Sequence, residues 1–396
     1  MHSQALTTGS LTTPFAINVF QQAALQQGPD CNLTVATSGV QHAMAVLREA
    51  SVGQTREQID RAMHSHVWGD ADQEALSEYI TAMKQGRLSG LRLKLASGLW
   101  TDKNLPIRRA FQDRARVNFG APTRVVDFAQ NSRAVTKGIN EWVQAHAGEQ
   151  VQKLLYKANP ELWALFVSVC CFTGQWQTPF DSQLTRRGLF TSGGLKQELL
   201  AVPMMYVQNQ SMPYYDDVRF GAEIVEFDFA GKQASLVVVL PQNVDKLLTM
   251  EKNLSAQLLA QWFTGLDKNR KKGGRRFNQI GLPKHFDRSS FDLLSTMKAL
   301  GVEDVFSERA NMQELTGAVA SHADFHFNTA YHDMIFGWDE TGVATRVDLT
   351  MDRKLTGNLI QNQFVANHSF LFILRDRENN EILAIGRFAK PGKRNY

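Results

Sequence analysis

Two pairs of side chains have the type and spacing that could support chemistry. His64 and His66 are two residues apart, so on a β-strand both would face the same way and could bind a metal ion. Zinc needs three or four protein ligands, and two histidines alone are a weak indication of such a site. Cys170 and Cys171 would be reactive only if exposed beside cations, but they lie in an apolar run. We therefore expect surface histidines, inert core cysteines and no metal site.

The short motifs of common enzyme sites are missing from the sequence. There is no Gly-x-Ser-x-Gly elbow, no His-Glu-x-x-His zinc motif, no Gly-x-x-x-x-Gly-Lys phosphate loop and no Gly-x-Gly-x-x-Gly dinucleotide motif. A triad built from distant residues would leave no such motif, so an enzyme stays as a third and disfavoured class. We expect a protein that is not an enzyme and that needs no cofactor.

One segment concentrates positive charge. Its six cations surround two glycines, and they are Lys268, Arg270, Lys271, Lys272, Arg275 and Arg276. The formal net charge of the chain is only +4, which does not by itself indicate a nucleic-acid partner. A solvated basic loop is the favoured interpretation, and a polyanion-binding site is the alternative.

The segment 343–352 alternates strictly between two kinds of side chain. One face would carry Val343, Thr345, Val347, Leu349 and Met351, and the other Ala344, Arg346, Asp348, Thr350 and Asp352. This pattern predicts a half-buried strand. The residues that follow, 353–363, are polar and loop-like, and a long loop in a compact protein is usually functional. Periodicity alone favours an ordinary edge strand followed by a loop.

Helical patterns come early in the chain and strand patterns come later. Apolar residues share one helical face in two segments, Val40–Leu47 and Val135–Val143. The continuous apolar runs Leu165–Phe172 and Leu236–Leu240 predict central strands that are covered on both faces. Helices first and strands afterwards indicate an α+β fold.

Two elements near the end of the chain have clear boundary signals. A helix is predicted over Phe291–Leu300, with Ser290 as its amino cap, Leu294 and Met297 turned inward, and Gly301 ending it. A hairpin is predicted from Phe370–Leu374 and Glu381–Ile385, joined by the polar turn Arg375–Asn380.

Length and composition limit the class of protein. The 396 residues, of which 43% are hydrophobic and 21% charged, can bury a large core and could form two domains or one large mixed domain. Three cysteines cannot form a disulfide framework. No secretory signal and no membrane-spanning apolar run are evident, so we expect a cytoplasmic protein, or an extracellular one if the chain has been trimmed.

Several sequence blocks, in order along nearly the whole chain, resemble those of the serpin family. Ile139-Asn140-Glu141-Trp142-Val143 resembles the family's Asn-x-Trp-Val signature, and Phe172-Thr173-Gly174-Gln175-Trp176 followed by Pro179-Phe180 resembles its Phe-Lys-Gly-x-Trp-x-x-Pro-Phe block. Further similar blocks are Asn32–Leu47, Val202–Met205, Leu282–Phe286, Leu300-Gly301, Asn367–Phe372 and Gly386–Phe388 with Pro391. The resemblance implies one domain over 1–396, with three β-sheets, about nine α-helices and an exposed reactive-centre loop at about 340–363.

The resemblance also implies a mechanism in which the loop is bait for a protease. Cleavage lets the amino-terminal half of the loop insert as a new strand into the central sheet, and the acylated protease is carried along and distorted. The alternating segment would then be exposed first and bury one face later, with Arg346, Asp348 and Asp352 left in solvent. The implied partner is a serine protease, or a related cysteine protease, of unknown identity, and the inhibitor is expected to be a monomer.

The hinge of this loop departs from the family pattern. Glu340, Thr341 and Gly342 resemble the family's Glu-Glu-Gly. Inhibitory members usually continue with a small hydroxyl residue and then a run of alanine-like residues, whereas this chain has Val343, Ala344, Thr345, Arg346, Val347 and Asp348. Bulk at these positions slows insertion and favours cleavage of the loop as a substrate. Inhibition stays ahead of the alternative, a non-inhibitory serpin that serves as a carrier, chaperone or storage protein.

The scissile bond is placed only approximately by the resemblance. Counting forward from Glu340 with the family's spacing reaches Thr356, and counting backward from Ser369 reaches Asn358. The candidates are Lys354, Leu355, Thr356, Gly357 and Asn358. Lys354 would suit a trypsin-like pocket, Leu355 a chymotrypsin-like one and Thr356 a small elastase-like one, and Thr356 is favoured by the count.

Two control positions also follow from the resemblance. Trp176 resembles the tryptophan at the top of the central sheet where the loop first enters, and His332 resembles the histidine beneath the point where strands part. In the family that histidine binds an asparagine, and Ser168 stands at the matching position here. Thr37 likewise replaces a usual proline. A shorter donor at Ser168 is expected to loosen this latch.

Overall fold

The structure is a computed structural model, and it describes residues 8–67, 78–79, 82, 86–147, 154–193, 196–317, 325–327, 330–344 and 361–391. Nine α-helices have bounds within these residues: α1 (Thr8–Gln27), α2 (Thr37–Ala50), α3 (Gly53–Ala62), α4 (Arg109–Phe119), α5 (Phe128–Ala147), α6 (Leu247–Lys252), α7 (Ala256–Lys271), α8 (Leu293–Ala299) and α9 (Gln313–Thr316). None of the helices in the described ranges is long and apolar enough to cross a membrane.

The strands in the described part of the chain form three sheets. The central sheet has the order β11 (His285–Asp292), β12 (Ala330–Trp338), β13 (Gly342–Val343), β4 (Ala164–Gln175), β2 (Leu91–Asp102) and β3 (Thr123–Val126). The second sheet has the order β1 (Leu33–Val35), β16 (Ile382–Phe388), β15 (Phe370–Asp376), β9 (Ala234–Pro241), β8 (Ala222–Asp228) and β7 (Tyr214–Asp217). The third has β14 (Gln363–Val365), β10 (Arg275–Pro283), β6 (Leu199–Met212) and β5 (Asp181–Thr191). Three sheets and about nine helices were predicted, and the fold confirms both.

The two continuous apolar runs form internal strands, as predicted. The first is part of β4 and the second part of β9, and residues 164–172 and 234–241 are buried. Each strand is flanked by neighbours on both edges, and each has apolar side chains on both faces. Such double burial explains why neither run alternates with polar residues.

Helix α5 covers one face of the central sheet. Ile139, Trp142 and Val143 of the helix pack against Val167, Val169 and Cys171 of β4 and Ile335 of β12, all buried. The opposite face of the sheet packs against the second sheet through side chains that include Cys170, Phe172, Met334 and Phe336. The central sheet therefore lies between two apolar layers.

The predicted start of the helix over Phe291–Leu300 is wrong. Helix α8 begins at Leu293, not at Phe291, and its cap is Asp292, whose side chain accepts a hydrogen bond from the Leu294 amide at 3.0 Å, in place of Ser290. The reason is that β11 continues to Asp292 by pairing with β12. Met297 is buried, Leu294 is partly buried, and Gly301 follows the helix end with φ +85°.

The carboxyl-terminal hairpin is confirmed, but Arg375 does not belong to its turn. This residue lies in β15 and is fully buried, where its guanidinium donates to Oε1 of the buried Glu226 at 2.9 Å. The sequence predicts a surface position for Arg375 because its partner Glu226 lies 149 residues away and no local pattern connects the two.

Candidate functional site

The described residues of the predicted hinge, 340–344, already enter the central sheet. Gly342 and Val343 form β13, in which Val343 pairs with Trp338 of β12 on one side and with Gly174 of β4 on the other. The Val343 side chain is only 2% exposed. The expectation that this segment is exposed before cleavage is therefore wrong for Val343, because its two neighbouring strands are already apart at this height.

Gly342 permits a close approach of two backbones. A Cβ atom at this position would lie 1.8 Å from the carbonyl oxygen of Gly174. A Cβ at Gly174 would itself lie 2.7 Å from the carbonyl oxygen of Gly90. No larger residue fits at either position without a backbone shift, so the two glycines allow three strands to converge here.

Trp176 holds the chain just before β13. Its indole Nε1 donates to the carbonyl oxygen of Asp339 at 2.8 Å, and its amide donates to the carbonyl oxygen of Thr341 at 2.9 Å. The ring is 3% exposed and stacks on Phe229 with centroids 4.9 Å apart. The prediction that Trp176 lies where the loop enters is consistent with this placement.

Glu340 ties the hinge to the third sheet. Its carboxylate accepts a hydrogen bond from Thr185 Oγ1 at 2.6 Å and forms an ion pair with Lys284 Nζ at 2.9 Å. The side chains of Lys284 and Glu340 are only 13% and 12% exposed. Sequence reasoning missed Lys284 and Thr185 as hinge partners, although Lys284 belongs to one of the matching blocks. We use "the clamp" for Glu340, Lys284, Thr185 and Trp176.

Below the hinge, β12 and β4 pair directly with each other. Their parallel register runs from Ala330 opposite Phe166 to Ile335 opposite Cys171. We use "the seam" for this line of contact between the two strands, 330–335 with 166–171. The hinge thus lies between β12 and β4 at the end where they are separated, and the two strands pair directly with each other below it.

His332 and Ser168, predicted as a latch, are opposite each other in the seam. His332 Nε2 accepts a hydrogen bond from the Ala36 amide at 3.1 Å, so its proton is on Nδ1, and Nδ1 has no hydrogen-bond partner among the described residues. Complete burial lowers the pKa of His332 to about 4. The two side chains are cross-strand neighbours, but no hydrogen bond between them is present in the described ranges.

Ser168 instead continues a different hydrogen-bonded chain. Ser97 Oγ donates to Ser168 Oγ at 3.3 Å, and Ser97 Oγ lies 2.9 Å from Nδ1 of His42. All three side chains are buried. Thr37, at the start of α2, donates from Oγ1 to the carbonyl oxygen of Ile382. Ser168 of the seam is therefore linked to helix α2 through Ser97 and His42, and not through His332.

Thr345 and the five candidates for the scissile bond, Lys354, Leu355, Thr356, Gly357 and Asn358, lie outside the described residues.

The basic cluster is only partly a loop, since α7 extends to Lys271 and β10 begins at Arg275, which leaves residues 272–274 as the turn between them. Two of its six members are engaged. Arg270 forms ion pairs with Glu226 at 2.7 Å and with Asp228, and Arg275 stacks on Tyr214 with its guanidinium 4.3 Å from the ring centroid. The exposed members are Lys268, Lys271, Lys272 and Arg276.

The cysteine and histidine pairs are placed as follows. Cys170 and Cys171 are buried, and burial raises the pKa of the Cys171 thiol to about 12, so neither is activated as a nucleophile. His66 is exposed in a short 3-10 turn, and His64 lies 3.2 Å from Asn18 Nδ2. Within the described ranges, no group of three or more His, Cys, Asp or Glu side chains could hold a metal ion.

Comparison with known proteins gives one consistent result. A family model described as Serpin (serine protease inhibitor) matches residues 10–391. The chain is 26% identical over 386 residues to the leukocyte elastase inhibitor of Equus caballus, covering 96% of this chain and 98% of that protein. It is also similar to the crystal structure of uncleaved ovalbumin, with a TM-score of 0.83 and 20% identity over 97% of this chain and 100% of the other. Thyroxine-binding globulin in complex with thyroxine gives a TM-score of 0.81 and 19% identity, with 98% of this chain and 99% of the other covered.

Proposed function

This chain belongs to the serpin family, and from that premise we propose that it inhibits a serine protease by inserting its cleaved loop into the central sheet. The observation that carries the proposal is the position of the hinge. Val343 already pairs with both β12 and β4 and Gly342 pairs with β4, so the start of the loop already lies between the two strands that insertion would separate. Further insertion requires the direct pairs of the seam to separate and the same pairing to continue downward.

The chemical step is that of the protease. Its nucleophile attacks the scissile carbonyl of the loop, an ester bond to the inhibitor forms, and the peptide bond breaks with release of the new amine. Water would normally hydrolyse the ester. Insertion of the freed strand moves the attached protease before that step, so inhibition depends on insertion being faster than deacylation.

The register of insertion follows from the pairs that already exist. Continuing the β13 pairings would bring Thr345 between Phe336 and Phe172 and Val347 between Met334 and Cys170. Leu349 would come between His332 and Ser168, which are now paired directly. All three positions share the face of Val343, because side chains on a strand alternate. That face packs against the second sheet.

The driving force is smaller than the sequence pattern alone predicts. Val343 is already buried, so Val347, Leu349 and Met351 remain to be buried after cleavage. At about 1.5 to 3 kcal/mol for each side chain, they would contribute roughly 4.5 to 9 kcal/mol. Backbone hydrogen bonds on both edges of the new strand add to this.

The opposite face presents a difficulty that the sequence did not reveal. Arg346 would come between Ile335 and Cys171, which are buried beneath α5, and Asp348 between Asp333 and Val169. The sequence predicted that Arg346 and Asp348 stay in solvent after insertion, but helix α5 covers the face on which they would lie. Asp333 is buried and paired with Arg288 at 2.6 Å, so Arg346 and Asp348 would join an existing ion pair with no net charge added.

The burial of two new charges favours the second candidate function, a non-inhibitory serpin whose loop is merely clipped. Incubation with a panel of serine proteases followed by denaturing gel electrophoresis separates the two. A covalent complex of inhibitor and protease supports inhibition, and quantitative clipping with active protease recovered supports the alternative. Mass spectrometry of the released fragment identifies the bond among residues 354–358. A small elastase-like pocket is expected to cleave after Thr356.

A further inference from the structure

Three exposed cations lie at the turn between α7 and β10. Lys271 and Lys272 are at the end of α7, and Arg276 is the second residue of β10. The carboxylates that form ion pairs with this segment pair with Arg270 and Arg275, and none of them pairs with the three exposed cations among the described residues. We use "the basic turn" for Lys271, Lys272 and Arg276.

The backbone that carries the basic turn is fixed against the third sheet. Gly273 and Gly274 have φ values of +93° and +79°, in the left-handed region that favours glycine. A Cβ atom at Gly274 would lie 2.8 Å from the carbonyl oxygen of Met212 in β6. The Asn269 side chain accepts a hydrogen bond from the Tyr214 amide at 2.9 Å. These contacts place the three charges at one end of the third sheet.

The carboxyl-terminal end of the loop is attached to the same strand. Asn278 donates from Nδ2 to the carbonyl oxygen of Gln361 at 2.9 Å, and Asn362 donates from Nδ2 to the carbonyl oxygen of Arg276 at 2.7 Å. Thr356, the favoured scissile residue, is five positions before Gln361. At up to about 3.6 Å for each residue, it is at most about 18 Å from the point where the loop meets β10.

A protease at the scissile bond would therefore reach the basic turn. A protease domain of about 200–250 residues is roughly 45 Å across, so its surface extends about 20 Å to each side of its active site. Loop residues after the scissile bond lie along the primed side of the protease cleft. That side faces Gln361 and Asn362, and so also the basic turn.

We propose that the basic turn is a docking surface for the target protease, and that it fits a protease with an acidic rim on the primed side of its cleft. The inference rests on the proposed function, because it takes the loop to be the segment that a protease attacks. The charges act on the encounter, since complementary potentials raise the rate of productive collision and like charges lower it. A free polyanion could meet the same charges, but only a protease is brought to them by the loop.

The test compares an anionic with a cationic trypsin, since both cut after Lys or Arg and the loop contains Arg353 and Lys354. The quantity measured is kcat/KM for cleavage of the loop in the full chain, with the bond identified by mass spectrometry. The anionic trypsin should cut the triple variant Lys271→Gln/Lys272→Gln/Arg276→Gln about tenfold more slowly than the parent at low salt. The cationic trypsin should cut the variant at the parent's rate or faster.

A matched control separates the basic turn from net charge. The variant Lys246→Gln/Lys252→Gln/Lys298→Gln removes three charges at other exposed lysines and should keep the parent's rate with both trypsins. Raising NaCl from about 50 to about 300 mM shortens the Debye length from about 14 to about 6 Å and should remove most of the tenfold difference. Unchanged thermal midpoints show that both variants are folded.

The docking surface would be overturned if the triple variant slowed both trypsins equally, or if the control variant slowed the anionic trypsin as much. A difference between parent and variant that appears only with added heparin would also overturn it and would make the basic turn a polyanion site. So would a parent loop that the anionic trypsin does not cut. Cleavage without a covalent complex would count against the proposed inhibition, and the cleavage rates would still decide the docking surface.

Discussion

The upper and lower parts of the cleft between β12 and β4 are held in different ways. At the top, the strands are separated by Gly342 and Val343 and the hinge is fixed by the clamp. In the seam below, the same strands pair directly over six residue pairs, and the buried His332 keeps an unpaired N–H among the described residues. The difference teaches that the resistance to the proposed loop insertion would lie in the seam, since the top is already open.

The largest effect is expected from Val343→Arg, which places a charged side chain between β12 and β4 at the upper part of the cleft. A buried unpaired charge costs several kcal/mol, so the hinge should leave the sheet and formation of the covalent protease complex should fall at least about 100-fold. The uncleaved protein should stay folded because the six pairs of the seam do not involve this residue. Rates of complex formation and thermal unfolding measure the two effects.

The matched control is Ala344→Arg, one residue further on the opposite face, where the side chain is only half-buried. It should form complex much more readily than Val343→Arg. Equal rates in the two variants would show that the face of the hinge does not matter, against the register assigned above.

A pH titration tests the lower part through His332. Its pKa of about 4 when folded is below the unfolded value of about 6.5, so the unfolded state binds more protons between these limits. The free energy of unfolding should therefore be highest above pH 6.5 and fall by about 3 kcal/mol on this account as the pH approaches 4. Urea unfolding at a series of pH values measures it.

His332→Gln should flatten that decline, whereas a control at the exposed His66 should follow the parent curve. The buried His285, whose pKa is lowered to about 3 by burial beside Trp338, adds a separate fall that His332→Gln leaves in place. A parent-like decline in His332→Gln would mean that the seam histidine is not the group that resists protonation.

A smaller effect is expected from Glu340→Gln, which weakens the clamp without adding bulk. Loss of the charged interactions with Lys284 and Thr185 should reduce the free energy of unfolding by about 1.5 to 3 kcal/mol and hasten loss of inhibitory activity on warming. Glu308→Gln, at an exposed glutamate, is the control. If both variants unfold alike, the hinge is held by its backbone pairing alone.

Local patterns in the sequence predicted helices and strands, but they did not predict which neighbouring strands are separated from each other. The apolar run of β4 follows from side-chain types and is confirmed as a strand. Of the alternating segment 343–352, only Val343 lies in a described strand, and residues 345–352 lie outside the described residues. Alternation indicates that the strand face carrying Val343 is apolar. It contains no information on whether β12 and β4 leave room for that strand. That depends on contacts between distant segments.

The clamp and the cap of α8 were missed for the same reason. Lys284 and Glu340 are 56 positions apart in the sequence, and only the pairing of β11 with β12 brings their segments together. That pairing also extends β11 to Asp292 and so displaces the predicted cap at Ser290. Trp176, His332 and Ser168 were assigned by family resemblance, since no local pattern distinguishes them from ordinary core residues.

Thermal unfolding before and after cleavage of the loop tests the central claim most directly. If residues beyond Val343 insert, burial of Val347, Leu349 and Met351 alone should raise the midpoint by about 5 to 10 °C, with a further rise from the new backbone hydrogen bonds. A cleaved protein that unfolds at the same temperature as the intact one would contradict insertion, and with it the proposed inhibitory mechanism.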